Sequence, residues 1–137
     1  MSYPSTMRYF PAGYAGGVTT ATLDLSDASD TTQFTWVPKN DCVIHGFGGV
    51  VTEAMGTMTT TVGVGSLTIS GTEKSTVTAT PSAAIGTETY GTQFKPVKVA
   101  AGATILFKTK TQAVGGTITG EYAPFIYVEF FPAITPA

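Results

Sequence analysis

Few residues of this 137-residue chain could carry catalytic chemistry. It has one histidine, His45, and one cysteine, Cys42. A cysteine nucleophile needs a base beside it, but residues three apart on a strand point to opposite faces. The spacing therefore argues against a cysteine hydrolase, and one histidine is too few for a metal-binding barrel that uses several. We interpret Cys42 as a small buried apolar residue and His45 as a partly buried strand residue, with a ligand or pH-sensing role as the alternative.

Three glutamates are the other candidates for acid–base work. Glu53, Glu121 and Glu129 could pair as the two carboxylates of a glycoside hydrolase. Nothing in their spacing places any two of them together, and glutamates on strand faces are common. We favour the interpretation that all three glutamates are ordinary strand residues.

An acidic run offers a possible cation site. Asp24, Asp27 and Asp30 alternate with serines, and three carboxylates in a turn could surround a calcium ion. The run lacks the ligand spacing of an EF-hand, and Asp and Ser are also common turn residues. We expect a solvated loop, with calcium as the alternative. The sequence thus predicts no enzyme, no catalytic, cofactor-binding or metal-binding residue, and no cofactor.

A lone tryptophan raises the question of sugar binding. Trp36 could stack against a saccharide, but it has the same strand parity as Phe34, which favours packing in the core.

Charge is scarce. Charged residues make up 12% of the chain, and the formal net charge is −2. Lys108 and Lys110 are the one close basic pair in a predicted strand, which is too little for a phosphate-binding surface. The N-terminus lacks a secretory signal pattern, and no run is long and apolar enough to cross a membrane. We expect neither nucleic acid nor membrane as a partner.

The elements that position these residues are predicted to be strands. The chain has 26 threonines and 16 glycines, and apolar residues alternate with polar ones at period two. The pattern predicts an all-β fold, a single β-sandwich or jelly roll of about eight to nine antiparallel strands. Residues 19–137 would form this domain, and residues 1–18 an extended N-terminal arm. The segment 125–131, FIYVEFF, is apolar on both faces and should be central or covered on both sides.

The arm is rich in aromatic residues although prolines and glycines interrupt it. Disordered tails are poor in aromatics, so we expect the arm to lie either on its own domain or on a neighbouring molecule. Tyrosine, methionine, phenylalanine and arginine are enriched in interface cores. The candidate partner-binding residues are Tyr3, Met7, Arg8, Tyr9, Phe10 and Tyr14.

The order of the strand motifs supports one resemblance. The motifs are CVIHGF (42–47), VVTEA (50–54), TVGVG (61–65), VKVAAG (97–102), GTITGEY (116–122) and the closing FIYVEFF. In this order the chain resembles the small jelly-roll structural proteins of tailed bacteriophages, among them the head decoration, or cement, proteins. The likeness spans roughly residues 19–131. It rests on the general residue composition and the order of the motifs, without an invariant signature.

The resemblance implies a virion component on the capsid surface, assembled in the host cytoplasm. It also implies a homotrimer that binds the major capsid protein, stabilises the head through protein contacts and uses its terminal arm between subunits. The alternative is a receptor- or carbohydrate-binding β-sandwich module of a phage tail or fibre, or of a surface adhesin.

Overall fold

The alternating segments form strands in the computed structural model, which describes residues 6–14 and 19–131. The described residues contain ten strands and no helix. The strands are β1 Met7–Tyr9, β2 Leu23–Asp24, β3 Thr31–Trp36, β4 Cys42–Glu53, β5 Val64–Ile69, β6 Thr72–Thr78, β7 Glu88–Tyr90, β8 Val97–Val99, β9 Ile105–Thr111 and β10 Glu121–Phe130. Within these residues, therefore, no helix is available that could span a membrane.

The strands form two antiparallel sheets packed as a β-sandwich, which confirms the predicted all-β sandwich class. In sheet A, β10 pairs with β4 along one edge and with β1 and β2 along the other, while β7 and β8 pair with the far edge of β4. Sheet B has the order β3-β9-β5-β6. As expected, residues 125–130 of the closing apolar segment lie within a central strand that is paired on both edges, while Phe131 follows the strand and is exposed.

The core lies between the two sheets and is built from one face of each strand. Sheet A contributes Ile44 and Ile126, and sheet B contributes Leu67, Ile105 and Phe107, all fully buried. The intervening residues point to the outer faces, as the two-residue period requires. Side chains of β10 such as Phe125 and Tyr127 therefore lie on the outer face of sheet A.

The hairpin between β5 and β6 has a two-residue turn, Ser70-Gly71, with φ of 50° and 84°. Positive φ at both positions is the type I′ geometry, whose twist matches that of the flanking strands.

Two local predictions were wrong. The alternation of Met58, Thr60, Val62 and Val64 predicts one strand, followed by a turn and a further strand at residues 67–69. Instead, β5 runs unbroken over Val64–Ile69, and residues 54–63 form a loop. The many small residues of the segment 81–93 predict a connection between strands, yet this segment contains β7. The residues before β7 are mostly small, and the three residues of β7 are too few to show an alternating pattern.

Candidate functional site

The described part of the N-terminal arm lies on its own sandwich. β1 pairs with β10, with Arg8 opposite Tyr127 and Tyr9 opposite Ile126. Of the two placements expected for the arm, residues 6–14 adopt the intramolecular one. Tyr3 lies outside the described residues, and partner binding by the arm stays a prediction.

Arg8 is the centre of a polar and aromatic group on the outer face of sheet A. We call Arg8, Glu88, Tyr90, Phe125 and Tyr127 the Arg8 cluster. The Arg8 guanidinium forms an ion pair with Glu88 and donates to the Tyr127 hydroxyl at 2.8 Å. Its Cζ atom lies 4.3 Å from the centroid of the Phe125 ring, which is a cation–π contact. The Tyr90 hydroxyl donates to Glu88 at 2.8 Å, so the carboxylate is held from two sides.

These contacts fix the charges of the cluster. The hydrogen bonds from Arg8 and then Tyr90 lower the pKa of Glu88, and those to Glu88 and Tyr127 raise the pKa of Arg8 above its ordinary value. The hydrogen bond to Glu88 raises the pKa of Tyr90. The ion pair is therefore fully charged at neutral pH and weakens only in acid, when Glu88 takes up a proton.

Glycines of β4 make room for the rings of β10. A Cβ atom at Gly48 would lie 2.6 Å from Cζ of Phe125 and 2.6 Å from the carbonyl oxygen of Thr89. At Gly46 it would lie 3.0 Å from Cδ2 of Tyr127. The two rings thus lie across β4, and Phe125 reaches Tyr90 on β7, with ring centroids 6.0 Å apart.

The rest of the described arm completes the cover over Phe125. Phe10 packs edge-on against Phe125, with centroids 5.7 Å apart, and stacks on Tyr14 at 5.1 Å. The buried Ala12 accepts a hydrogen bond from the backbone N–H of Thr20 at 2.8 Å. Phe125 is fully buried although it points away from the core.

The other two arm residues face the edge of the sandwich. Tyr9 contacts Trp36 and Phe130, with centroids 5.5 and 5.3 Å away. Met7 is 50% exposed. Among the candidate partner residues that the structure describes, Met7 is therefore the most exposed large apolar side chain.

The predicted acidic run does not converge on one point. Asp24 accepts hydrogen bonds from the backbone N–H and the hydroxyl of Ser26, as in an Asx turn. Asp27 accepts from Gln33 at 2.8 Å, and Asp30 is exposed with a φ of 64°. Among residues 6–14 and 19–131, no group of three or more His, Cys, Asp or Glu side chains is placed to hold a metal ion.

A different set of carboxylates meets at one end of sheet A. Glu121 of β10 lies opposite Asp24 of β2 and Glu53 of β4. Thr22 donates a hydrogen bond to Glu121, and Glu53 accepts from the backbone N–H of Gly120 at 3.0 Å. The Thr22 bond lowers the pKa of Glu121, but burial together with repulsion from Asp24 and Glu53 outweighs it, and the net pKa is raised.

Cys42 and His45 lie in different environments. Cys42 is buried in the core, where desolvation, helped by Asp41, raises the pKa of its thiol. His45 lies at a bulge of β4, and its Nε2 atom is 3.4 Å from Glu129. Glu129 is thus near neither Glu53 nor Glu121 in the sheet register, and the three glutamates do not form one site.

The partners of the arm are not evident from the sequence pattern. Glu88 and Tyr90 belong to the strand that the pattern did not predict. Phe125 and Tyr127 were recognised only as part of a strand needing cover on both faces. A strand that is apolar on both faces needs a second layer of protein on its outer face. The aromatic arm was the one segment without a predicted place in the sandwich, so it was the available candidate for that layer.

Comparison with known proteins gives no relative: no family model, no curated protein and no solved structure matches this chain.

Proposed function

We propose that the protein is a non-catalytic structural component of a virus particle, of the head decoration type, that binds the major capsid protein as a homotrimer. The observation that carries the proposal is the arm. It lies on the surface of the sandwich as a three-residue edge strand, with Met7 half exposed and Arg8 bound among tyrosines.

The strand order supports a jelly roll. With β1 set aside as the arm, and β7 and β8 counted as one position beside β4, eight positions remain. Their orders, β2-β10-β4-β7/β8 and β3-β9-β5-β6, are those of two interleaved Greek keys, the arrangement found in capsid jelly rolls.

The edge of sheet A provides a means of attachment. β1 pairs with β10 on one side, and no strand among the described residues pairs with its other side. Such an edge accepts a strand from a neighbouring chain through backbone hydrogen bonds. Met7, which is half exposed, supplies a side chain of interface type at this edge.

Attachment of this kind would stabilise the shell by mass action, since each bound copy favours the occupied state. A threefold arrangement would also cover the sheet edges that otherwise invite aggregation.

The protein composition of purified virus particles tests the proposal. Mass spectrometry of purified virus particles from the source culture should find the protein in many copies per shell. Its absence from particles, with abundant protein in the same lysate, would overturn the proposal.

A matched pair of variants tests the arm. Deleting residues 1–14 would uncover Phe125 and disturb the fold, so a single exposed change is the better test. Met7→Glu should reduce co-sedimentation with shells that lack the protein. Val114→Glu, at a residue of similar exposure (45%) outside sheet A, is the control and should bind normally. Equal binding by both variants would show that the β1 edge is not the attachment surface.

A further inference from the structure

A cavity of about 460 Å³ opens at the edge of the sandwich where sheet A and sheet B meet. Its walls come from the arm, from the end of β3 with the residues after it, and from the end of β10. The lining residues are Tyr9, Trp36, Val37, Lys39, Asn40 and Phe130. The volume lies within the range of pockets that bind small ligands.

Three aromatic rings form the apolar wall of this cavity. Tyr9 lies 5.5 Å from Trp36 and 5.3 Å from Phe130, and Trp36 lies 6.3 Å from Phe130, between ring centroids. All three side chains pack against the core yet remain partly exposed. The sequence favoured core packing for Trp36, and the structure adds that this ring also borders an open cavity. We call Tyr9, Trp36 and Phe130 the aromatic cleft.

Polar side chains stand next to the rings. Lys39 and Asn40 are both exposed and line the same cavity. A lysine ammonium has three donors, and an asparagine amide has two donors and an acceptor. An apolar wall with a few polar groups is the usual composition of a site that orients a small ligand.

We propose that the aromatic cleft binds a saccharide, a function beyond attachment to a capsid. The C–H face of a sugar ring stacks on aromatic side chains, and its hydroxyl groups need donors and acceptors at the rim. The cleft supplies both, because the rings form one wall and Lys39 and Asn40 another.

Charge predicts a preference among saccharides. Among the lining residues that the structure describes, Lys39 is the one cationic side chain and none is acidic. A saccharide that carries a carboxylate should therefore bind more tightly than its neutral counterpart, and the difference should shrink as salt is added.

The single tryptophan makes binding measurable without a label. Because Trp36 is the sole tryptophan of the chain, its fluorescence reports on the cleft alone. The full chain is first screened on an array of neutral and acidic glycans, then titrated with 3′-sialyllactose, tetragalacturonate, lactose and maltohexaose. We expect a saturable change in Trp36 emission with at least one acidic probe. No binding on the array and no change with any probe would overturn the proposal.

Point variants identify the site. Tyr9→Ala removes one ring and should weaken binding about tenfold, the order expected for one lost aromatic contact. Lys39→Ala should weaken the acidic probes more than the neutral ones and, since Lys39 is exposed, should not disturb the fold. Lys98→Ala, on β8 and outside the cavity, is the matched control and should bind like the unchanged protein.

Two outcomes would refute the assignment to this cleft. One is saccharide binding that Tyr9→Ala and Lys39→Ala leave unchanged while thermal melts show both variants folded. The other is a response of Trp36 to a proline-rich decapeptide with none to any saccharide, because aromatic grooves also bind polyproline helices.

Discussion

The outer faces of the two sheets differ sharply although both sheets use the same inner core. On sheet A, Phe125 of the central strand β10 is fully buried on the face that points away from the core. On sheet B, the corresponding outer face of the central strand β9 carries Leu106, Lys108 and Lys110, all at least partly exposed. The described arm and β7 cover the first face with Arg8, Phe10 and Tyr90. On the second face, Lys110 forms an exposed ion pair with Glu73.

The composition of a strand indicates whether a second layer covers its outer face. β9 alternates, ILFKTKT, because one of its faces meets water, whereas β10 is apolar on both faces because each face meets protein. Here the outer layer comes from the same chain. The comparison predicts that substitutions on the outer face of sheet A behave like core substitutions, whereas those on sheet B behave like surface substitutions.

The largest expected effect comes from removing the covered ring. Phe125→Ala should lower the free energy of unfolding by about 3–5 kcal/mol, as for a buried phenylalanine. Leu106→Ala, on the outer face of sheet B, should cost about 1 kcal/mol because it is already partly exposed. Urea denaturation of both variants gives the two values. Similar costs at the two positions would contradict the proposed difference between the two outer faces.

The second effect comes from adding a methyl group under the same ring. Gly48→Ala should destabilise the protein by about 1–3 kcal/mol, because the new Cβ meets both Phe125 and the backbone oxygen of Thr89. At Gly46 the nearest group is the partly exposed ring of Tyr127, which can move. Gly46→Ala should therefore cost about 1 kcal/mol or less. Thermal melts rank the two variants, and a larger cost at Gly46 would contradict this account of the packing.

Much of this architecture was predictable from local pattern. The alternation gave the all-β class, and the two-faced apolar composition of 125–131 correctly predicted a covered central strand. The arm's contacts were not predictable, because Arg8 and Glu88 are 80 residues apart and no local period links them. β7 was missed for a related reason, since three residues are too few to establish a period.

The acidic residues show the same limit. Sequence spacing grouped Asp24 with Asp27 and Asp30, and it left Glu53 and Glu121 without assigned neighbours. The antiparallel register instead brings Asp24, Glu121 and Glu53 side by side across three strands. Register depends on which strands pair, and that is a property of the whole fold.

A third prediction compares one ion pair on each sheet. Arg8→Met keeps the length of the side chain but removes the hydrogen bonds and the cation–π contact, and it should cost about 1 kcal/mol. Lys110→Met removes an exposed pair with Glu73 on sheet B and should cost about 0–0.5 kcal/mol. Denaturant unfolding compares the two variants. An equal loss in both would mean that the Arg8 cluster adds nothing beyond an ordinary surface pair.

The smallest effect concerns the like charges at the end of sheet A. Because the pKa of Glu121 is raised on folding, its ionised form costs stability at neutral pH, and this cost disappears as pH falls through the raised pKa. Glu121→Gln keeps an oxygen for Thr22 and removes the charge, so it should stabilise the protein at pH 7 by on the order of 0.5 kcal/mol. The gain should fade in acid, as the pH falls toward the ordinary glutamate pKa of about 4.3.

The control is Glu73→Gln, which loses its pairing with Lys110 and should give no gain in stability at pH 7. Stability curves at pH 4 and pH 7 measure both variants, and a gain for Glu121→Gln that is equal at the two pH values would show that repulsion across β2, β10 and β4 is not its source.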